Sequence, residues 1–221
     1  MNKGKQFWAD LWRTGRTSFH KEEVNPDLIS YWPELNLAPD ATVLVPLCGK
    51  SLDMLWLSQQ GYYVIGIELC EQAVLQFASE HQLVFQQRNF ANAMNYYNDV
   101  FSIWVADVFT LDTTLIPPVD AIYDRGALIA LPAALRPVYV TTCFKWLKSS
   151  GSILLKTMTY NQREMEGPPY SVTDDEITHL YKNCEINYLK STTNTRDSND
   201  PLFARGVRMV NDKVWFIRNK E

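Results

Sequence analysis

Residues 43–68 leave few ways for the chain to fold. Val43-Leu44-Val45-Pro46-Leu47 is a continuous apolar run of strand length. It is broken by Cys48-Gly49-Lys50, and apolar residues resume at helical spacing at Met54, Leu55 and Leu57. A short apolar run bounded by turn residues reads as a buried strand. Ser51 or Asp53 can cap the helix that follows by accepting from its free backbone N–H groups. Tyr62-Tyr63-Val64-Ile65-Gly66-Ile67 is a second apolar strand, and it ends on Glu68. Strand, glycine loop, helix, strand and terminal acid make up the nucleoside-binding half of a doubly wound α/β fold. In such a unit the loop backbone approaches the ligand and the acid accepts hydrogen bonds from ribose hydroxyls. The competing reading of this stretch alone is an ordinary buried βαβ unit with a solvated Glu68.

The loop holds a single glycine, Gly49, and no G-x-G-x-x-G. It is therefore poorly built to cradle a pyrophosphate on a helix N-terminus. A nucleoside without phosphates, bearing its own positive charge, suits it better. That description fits S-adenosylmethionine and argues against a nicotinamide dinucleotide.

Bulk properties narrow the partners. A chain of 221 residues suits one α/β domain, and 46% hydrophobic with 21% charged residues is a globular composition. Twenty-one basic against 25 acidic residues give a net charge of −4, without the basic footprint of a nucleic-acid enzyme. No apolar run reaches the length of a membrane span, and Met1 to Lys5 lack the apolar core of a signal peptide. Cys48, Cys70, Cys143 and Cys184 are far apart with no C-x-x-C, and His20, His81 and His179 lack ligand spacing. Neither a metal site nor a disulfide framework is expected, and thiols without an export signal predict a cytoplasmic protein.

The first forty residues read as a helical cap (1–40) laid over the open end of a Rossmann-like core (41–221). Trp8 and Trp12 stand at i, i+4 on a short helix, a polar loop ends in Phe19-His20, and Asn25-Pro26 starts a helical face that stops at Pro33. Trp8, Trp12 and Phe19 could wall a pocket for a flat or sulfonium-bearing ligand, or simply pack the cap onto the core. A helix over 71–81 follows. Residues 83–98, rich in Gln, Asn and Tyr, read as a surface insertion with one short strand at most. A strand over 100–105 leads to Asp107-Val108, where the acid could reach an adenine amino group or act as a turn residue. A strand over 120–123 leads to Asp124-Arg125-Gly126, placing two opposite charges just past its carboxyl end, where open α/β sheets bind ligands. Then come a helix over 133–148, a strand over 151–160, a loop with Gly167-Pro168-Pro169-Tyr170 and a helix over 174–181. Strands over 185–190 and 213–218 close the sheet as an antiparallel edge pair. The Gly49 loop, Glu68, Asp107 and Asp124-Arg125 are expected to share one cleft.

Several strings resemble the thiopurine S-methyltransferase family, in its shorter bacterial form. They are Val45-Pro46-Leu47-Cys48-Gly49-Lys50-Ser51 with Asp53-Met54 and Trp56-Leu57, Gly66-Ile67-Glu68, Tyr123-Asp124-Arg125-Gly126-Ala127-Leu128, Gly167-Pro168-Pro169-Tyr170, and Phe7-Trp8…Trp12…Thr17-Ser18-Phe19-His20. The resemblance implies a single class I S-adenosylmethionine-dependent methyltransferase domain with a mostly parallel sheet. It implies cofactor contacts from Trp12, Leu47, Glu68 and Arg125, with Trp8, Gly49, Asp107 and Val108 nearby. Phe19 would face the aromatic acceptor, and Arg205 matches a late substrate-side position only loosely.

The implied reaction is methyl transfer to the sulfur of an aromatic thiol such as a thiopurine, or to a selenium or tellurium compound. Holding two reactants in line can supply on the order of 7–11 kcal/mol of the barrier, and an aromatic thiol needs no strong general base. Arg125 would stabilise the anion. Asp124 would either share in the chemistry or neutralise Arg125 in an ion pair. Competing readings are a non-catalytic S-adenosylmethionine-binding sensor or resistance protein, and an amino-methylating DNA enzyme. Against the latter, Gly167 stands where the Asn or Asp of the Asn/Asp-Pro-Pro-Tyr loop should be. A monomer is expected, since no heptad pattern is present.

Overall fold

Alternation along the apolar strands sends successive side chains to opposite faces of a sheet, and in the computed structural model, which describes residues 3–220, both faces are covered. In chain order the elements are α1 (Lys3–Arg13), α2 (Pro26–Tyr31), β1 (Thr42–Pro46), α3 (Leu52–Gln59), β2 (Tyr63–Glu68), α4 (Glu71–Glu80), β3 (Gln86–Phe90), β4 (Ala93–Tyr97) and β5 (Phe101–Val105). They continue with β6 (Val119–Arg125), α5 (Arg136–Trp146), β7 (Leu147–Thr159), α6 (Asp174–Leu180), β8 (Cys184–Thr195), α7 (Pro201–Ala204) and β9 (Met209–Asn219). The sheet runs β3-β4-β5-β2-β1-β6-β7-β9-β8. The five strands from β5 to β7 are mutually parallel, and β9 pairs antiparallel with both β7 and β8. The doubly wound sheet and antiparallel C-terminal edge are as expected from the sequence.

Val43, Val45, Val64, Ile103 and Tyr123 pack on one face against Leu28, Met54, Leu57, Val74 and Phe77 from α2, α3 and α4. Leu44, Ile65, Ile122 and Ile153 pack on the other against Tyr139, Val140 and Trp146 of α5. Each fully buried Val, Leu or Ile contributes about 1.5–3 kcal/mol, so both layers are needed for a closed core.

Four expectations are corrected. Residues 83–98 form the β3–β4 hairpin, paired from Gln86↔Tyr97 to Phe90↔Ala93, and β4 joins the sheet through β5. The outer strand is polar because it is a solvent-facing edge, which hides its period. Strand β6 runs on to Arg125, so Asp124 and Arg125 are its last residues rather than a loop. Residues 133–135 form a separate 3-10 turn before α5, and Leu147-Lys148 belong to β7. Helix α2 ends at Tyr31 and a 3-10 turn carries the chain through Pro33. The expectation about the first five residues reaches Met1 and Asn2, which lie outside the described residues.

Helix α2 is bolted to the sheet by charge. Asn25 caps α2 by accepting from the N–H of Asp27 at 3.0 Å. The buried Asp27 carboxylate in turn takes Lys156 of β7 and Lys190 of β8, the latter at 2.6 Å. Burial raises the Asp27 pKa, but the two ammonium groups more than offset this and hold it below the ordinary carboxylate value. Replacing Asp27 with Ala strands two cations. Losses of about 2 kcal/mol are typical of such truncations, and at about 2–4 °C per kcal/mol for a chain this size the melting temperature should fall by about 4–8 °C, readable by calorimetry.

Candidate active site

The site begins where β1 stops. Leu47 and Gly49 both take positive φ, 49° and 55°, so the chain reverses within three residues. The Cys48 N–H donates to Ile67 O at 3.0 Å, pinning the turn to β2. Gly66 lets the turn lie that close, because a Cβ there would sit 2.8 Å from Cys48 Sγ. Of the two candidate caps, Ser51 caps α3, accepting from the N–H of Asp53 at 3.2 Å.

Glu68 closes the two loops onto each other. Its Oε2 accepts from the N–H of Gly49 at 2.8 Å and its Oε1 from the N–H of Cys70 at 2.8 Å. Burial raises its pKa, while these N–H groups favour the anion and limit the rise. Burial and the Glu68 charge push the neighbouring Cys70 thiol up to about 12, so Cys70 lines the site as a neutral side chain.

Helix α1 roofs this loop. Trp12 is buried, and a Cβ on Gly49 would lie 3.1 Å from its ring. Trp12 packs with Trp8, Leu69, Cys70 and Ala73. Phe19 meets Trp8 and Trp12 edge-on at centroid distances of 5.5 and 5.4 Å, yet stays 42% exposed. Beneath the roof is a cleft of about 430 Å³, bordered by Gln6, Trp12, Leu69, Cys70 and Asp107. Asp107 is a turn residue, its Oδ1 accepting from the N–H of Phe109 at 3.0 Å, and it also borders the cleft, paired with Lys5 at 3.4 Å. Val108 is buried in the core, so only its backbone can meet a ligand. A second hollow of about 580 Å³ lies over the cap loop, bordered by Arg16, Thr17, Ser18, His20 and Glu22.

At the end of β6 the two adjacent charges part company. Arg125 pairs with Asp53 through Nη1 at 3.1 Å, not with Asp124. Asp124 points into the core, its Oδ1 accepting from the N–H groups of Ala127 and Leu128 at 3.1 Å and its Oδ2 from Tyr139 OH at 2.7 Å. The Asp124–Arg125 ion pair, the alternative reading of this step, is thus absent: neighbours on a strand face opposite ways. Of the residues expected to share one cleft, Asp107 borders the cleft under α1, whereas Gly49, Glu68, Asp124 and Arg125 border neither hollow, and Asp124 shapes the turn after β6. Arg205 donates to the carbonyls of Pro168 and Gly167 at 2.6 and 3.2 Å, and Tyr170 N–H donates to Ile129 O. The Gly-Pro-Pro-Tyr loop is thereby fastened to both the β6–α5 connection and the segment after α7. Missed by the sequence reading were Asp53 as the partner of Arg125, Lys5 beside Asp107, and Cys70 in the cleft. Asp53 stood inside a recognisable string, but its partner lies 72 residues away.

A family model described as thiopurine S-methyltransferase (TPMT) matches residues 3–220. The chain belongs to the thiopurine S-methyltransferase family. It is 57% identical over 219 residues to the thiopurine S-methyltransferase of Legionella pneumophila strain Paris, covering 99% of each chain. To that of Bordetella petrii it is 41% identical over 218 residues, covering 97% of this chain and 98% of the relative. Its fold is similar to that of the 1,6-didemethyltoxoflavin-N1-methyltransferase of Burkholderia thailandensis, solved with S-adenosylhomocysteine. That TM-score is 0.66 at 15% identity, covering 98% of this chain and 87% of the other. This family member is an S-adenosylmethionine-dependent methyltransferase with the class I, Rossmann-like fold.

The residues present suit that cofactor. The loop after β1 has no phosphate cradle, an acid ends β2, aromatic rings cover the loop, and a cleft opens between the ends of β2 and β5. Replacing Glu68 with Ala removes the acceptor from both Gly49 and Cys70, so S-adenosylhomocysteine affinity should fall about 10–100-fold, as loss of one or two hydrogen bonds to a charged group implies. Isothermal calorimetry reads it.

Asp124 yields a pH signature. Burial lifts its pKa from 3.8 to about 6, so the folded state binds a proton more tightly than the unfolded one. Its contribution to stability is fullest below the unfolded value and is lost as pH rises through about 6. Asp124→Asn should flatten the dependence of melting temperature on pH between those limits; an unchanged slope would assign the dependence elsewhere.

Proposed function

We propose that the chain transfers the methyl group of S-adenosylmethionine to the sulfur of an aromatic or heterocyclic thiol, thiopurines among them, with selenium and tellurium compounds as further acceptors in a detoxifying role. The observation that carries this reading is the juxtaposition of the cleft under α1 with an edge-to-face aromatic cluster, Trp8, Trp12 and Phe19, of which Phe19 stays exposed. We take the chain to be one methyltransferase domain, residues 1–40 forming the cap, acting as a cytoplasmic monomer. Among the described residues no helix is long and apolar enough to cross a membrane.

The bound cofactor supplies an electrophilic methyl carbon on a sulfonium. Everything else falls to the protein. Glu68 would accept from ribose hydroxyls, Asp107 from the adenine amino group, and the backbone of Leu47, Gly49 and Val108 would line the nucleoside. Trp12 and Trp8 shield the site from water, and Phe19 presents a ring edge or face to a flat acceptor. An aromatic thiol is substantially ionised near neutral pH, so the protein must hold an anion rather than remove a proton. The Arg125 guanidinium is the group to do it, being always charged. Arg205, engaged with the Gly-Pro-Pro-Tyr loop, would set the acceptor-side wall. Asp124 supports this from behind by fixing the turn that follows Arg125.

The test is release of S-adenosylhomocysteine from S-adenosylmethionine with and without 6-mercaptopurine or an aryl thiol. Acceptor-dependent release should appear, and Arg125→Ala should lower kcat/KM by about 10–100-fold, the loss of one charge-assisted hydrogen bond. Cofactor binding without acceptor-dependent release would overturn thiol methylation and restore the sensor reading.

A further inference from the structure

The Asp53 carboxylate does more than its place in the first turn of α3 requires. It is completely buried and collects three donors from two distant parts of the chain. Its Oδ1 accepts from the backbone N–H of Asn25 at 2.8 Å, and its Oδ2 from Tyr123 OH at 3.0 Å and from Arg125 Nη1 at 3.1 Å. Tyr123 and Arg125 are two residues apart on β6 and so present the same face. Asn25 is the cap of α2, the point at which the loop carrying Phe19 and His20 is anchored. One buried charge therefore fixes both the end of the acceptor-side cap loop and the guanidinium at the mouth of β6.

The contact with Arg125 is single and end-on, through one of five guanidinium donors, and the Arg125 side chain is 23% exposed. Among the described residues Asp53 is the one carboxylate paired with it. A guanidinium tethered at one nitrogen keeps its remaining donors for a ligand while losing the freedom to swing into solvent. Preorganised donors of this kind act without reorganisation when charge arrives.

We propose that Asp53 is a positioning residue: it sets the orientation of Arg125 toward the reacting groups and ties that orientation to the seat of the cap loop at Asn25. This rests on the reading of Arg125 given above. Completely buried, Asp53 would act on the reacting groups through Arg125, while its other oxygen holds the Asn25 N–H. Asp53→Asn keeps an amide oxygen for the Asn25 N–H and removes the charge that holds Arg125, so its functional cost should appear only while Arg125 is present.

The experiment is a double-mutant cycle with wild type, Asp53→Asn, Arg125→Ala and the double variant, read by S-adenosylhomocysteine affinity, by kcat/KM for 6-mercaptopurine and by melting temperature. Asp53→Asn should reduce at least one of the two functional readouts about tenfold, the scale of one lost charge-assisted contact. In the Arg125→Ala background it should cause no further loss, and there it should not lower the melting temperature, because the unpaired buried charge is gone. Asp53→Glu keeps the charge but shifts it by one methylene. It should also lose function, which covers the case in which the Asn variant fails to fold. Multiplicative functional losses would overturn the proposal. So would an Asp53→Asn or Asp53→Glu protein with lowered melting temperature and unchanged affinity and kcat/KM. Wild-type turnover separately judges thiol methylation: should it be absent, the cycle on S-adenosylhomocysteine affinity still decides the role of Asp53.

Discussion

The loops after β1 and β2 meet on one carboxylate, and the geometry of the nucleoside cleft follows from that meeting. Each Glu68 oxygen takes one backbone N–H, from Gly49 on one side and Cys70 on the other. A buried carboxylate is unfavourable unless its oxygens are satisfied, so the two bonds favour this arrangement of the loops. That arrangement in turn requires positive φ at Leu47 and Gly49 and a missing side chain at Gly66. Trp12 then has a flat glycine surface to lie on, and the roof can close. The acid read from the sequence as a ribose acceptor is also the clasp that joins the two loops.

Much of this was legible in the sequence because the signals were local. The apolar run at 43–47, the break at Gly49, the second run ending on Glu68 and the Asn25-Pro26 start each carry their physics within a few residues. The doubly wound, mostly parallel sheet followed from strands joined by helices, and the antiparallel edge from β-branched and aromatic strands near the end of the chain. The aromatic residues of the cap came out adjacent because Trp8 and Trp12 share a helix face and Phe19 follows on a short loop.

What was not legible depended on partners distant in sequence or on which way a strand residue faces. The β3–β4 hairpin buries little of its outer strand, so Gln86 to Phe90 show no alternation to read. Adjacent opposite charges at Asp124-Arg125 invite an ion pair, yet a one-residue step along β6 sends one inward to Tyr139 and the other toward Asp53. Nothing near Asp53 in sequence announces that it will gather Asn25, Tyr123 and Arg125, and Lys5 gives no local hint of Asp107.

The clamp on Asp27 bears on the order of assembly. Its two ammonium partners lie 129 and 163 residues further along the chain, so they are synthesised well after it. Contacts of such long sequence separation reward the chain only after the intervening loops have closed. The stretch that is synthesised first therefore cannot be locked down until β7 and β8 are in place. The nucleoside-binding half can assemble around Glu68 beforehand, and the cap seats over a cleft that already exists.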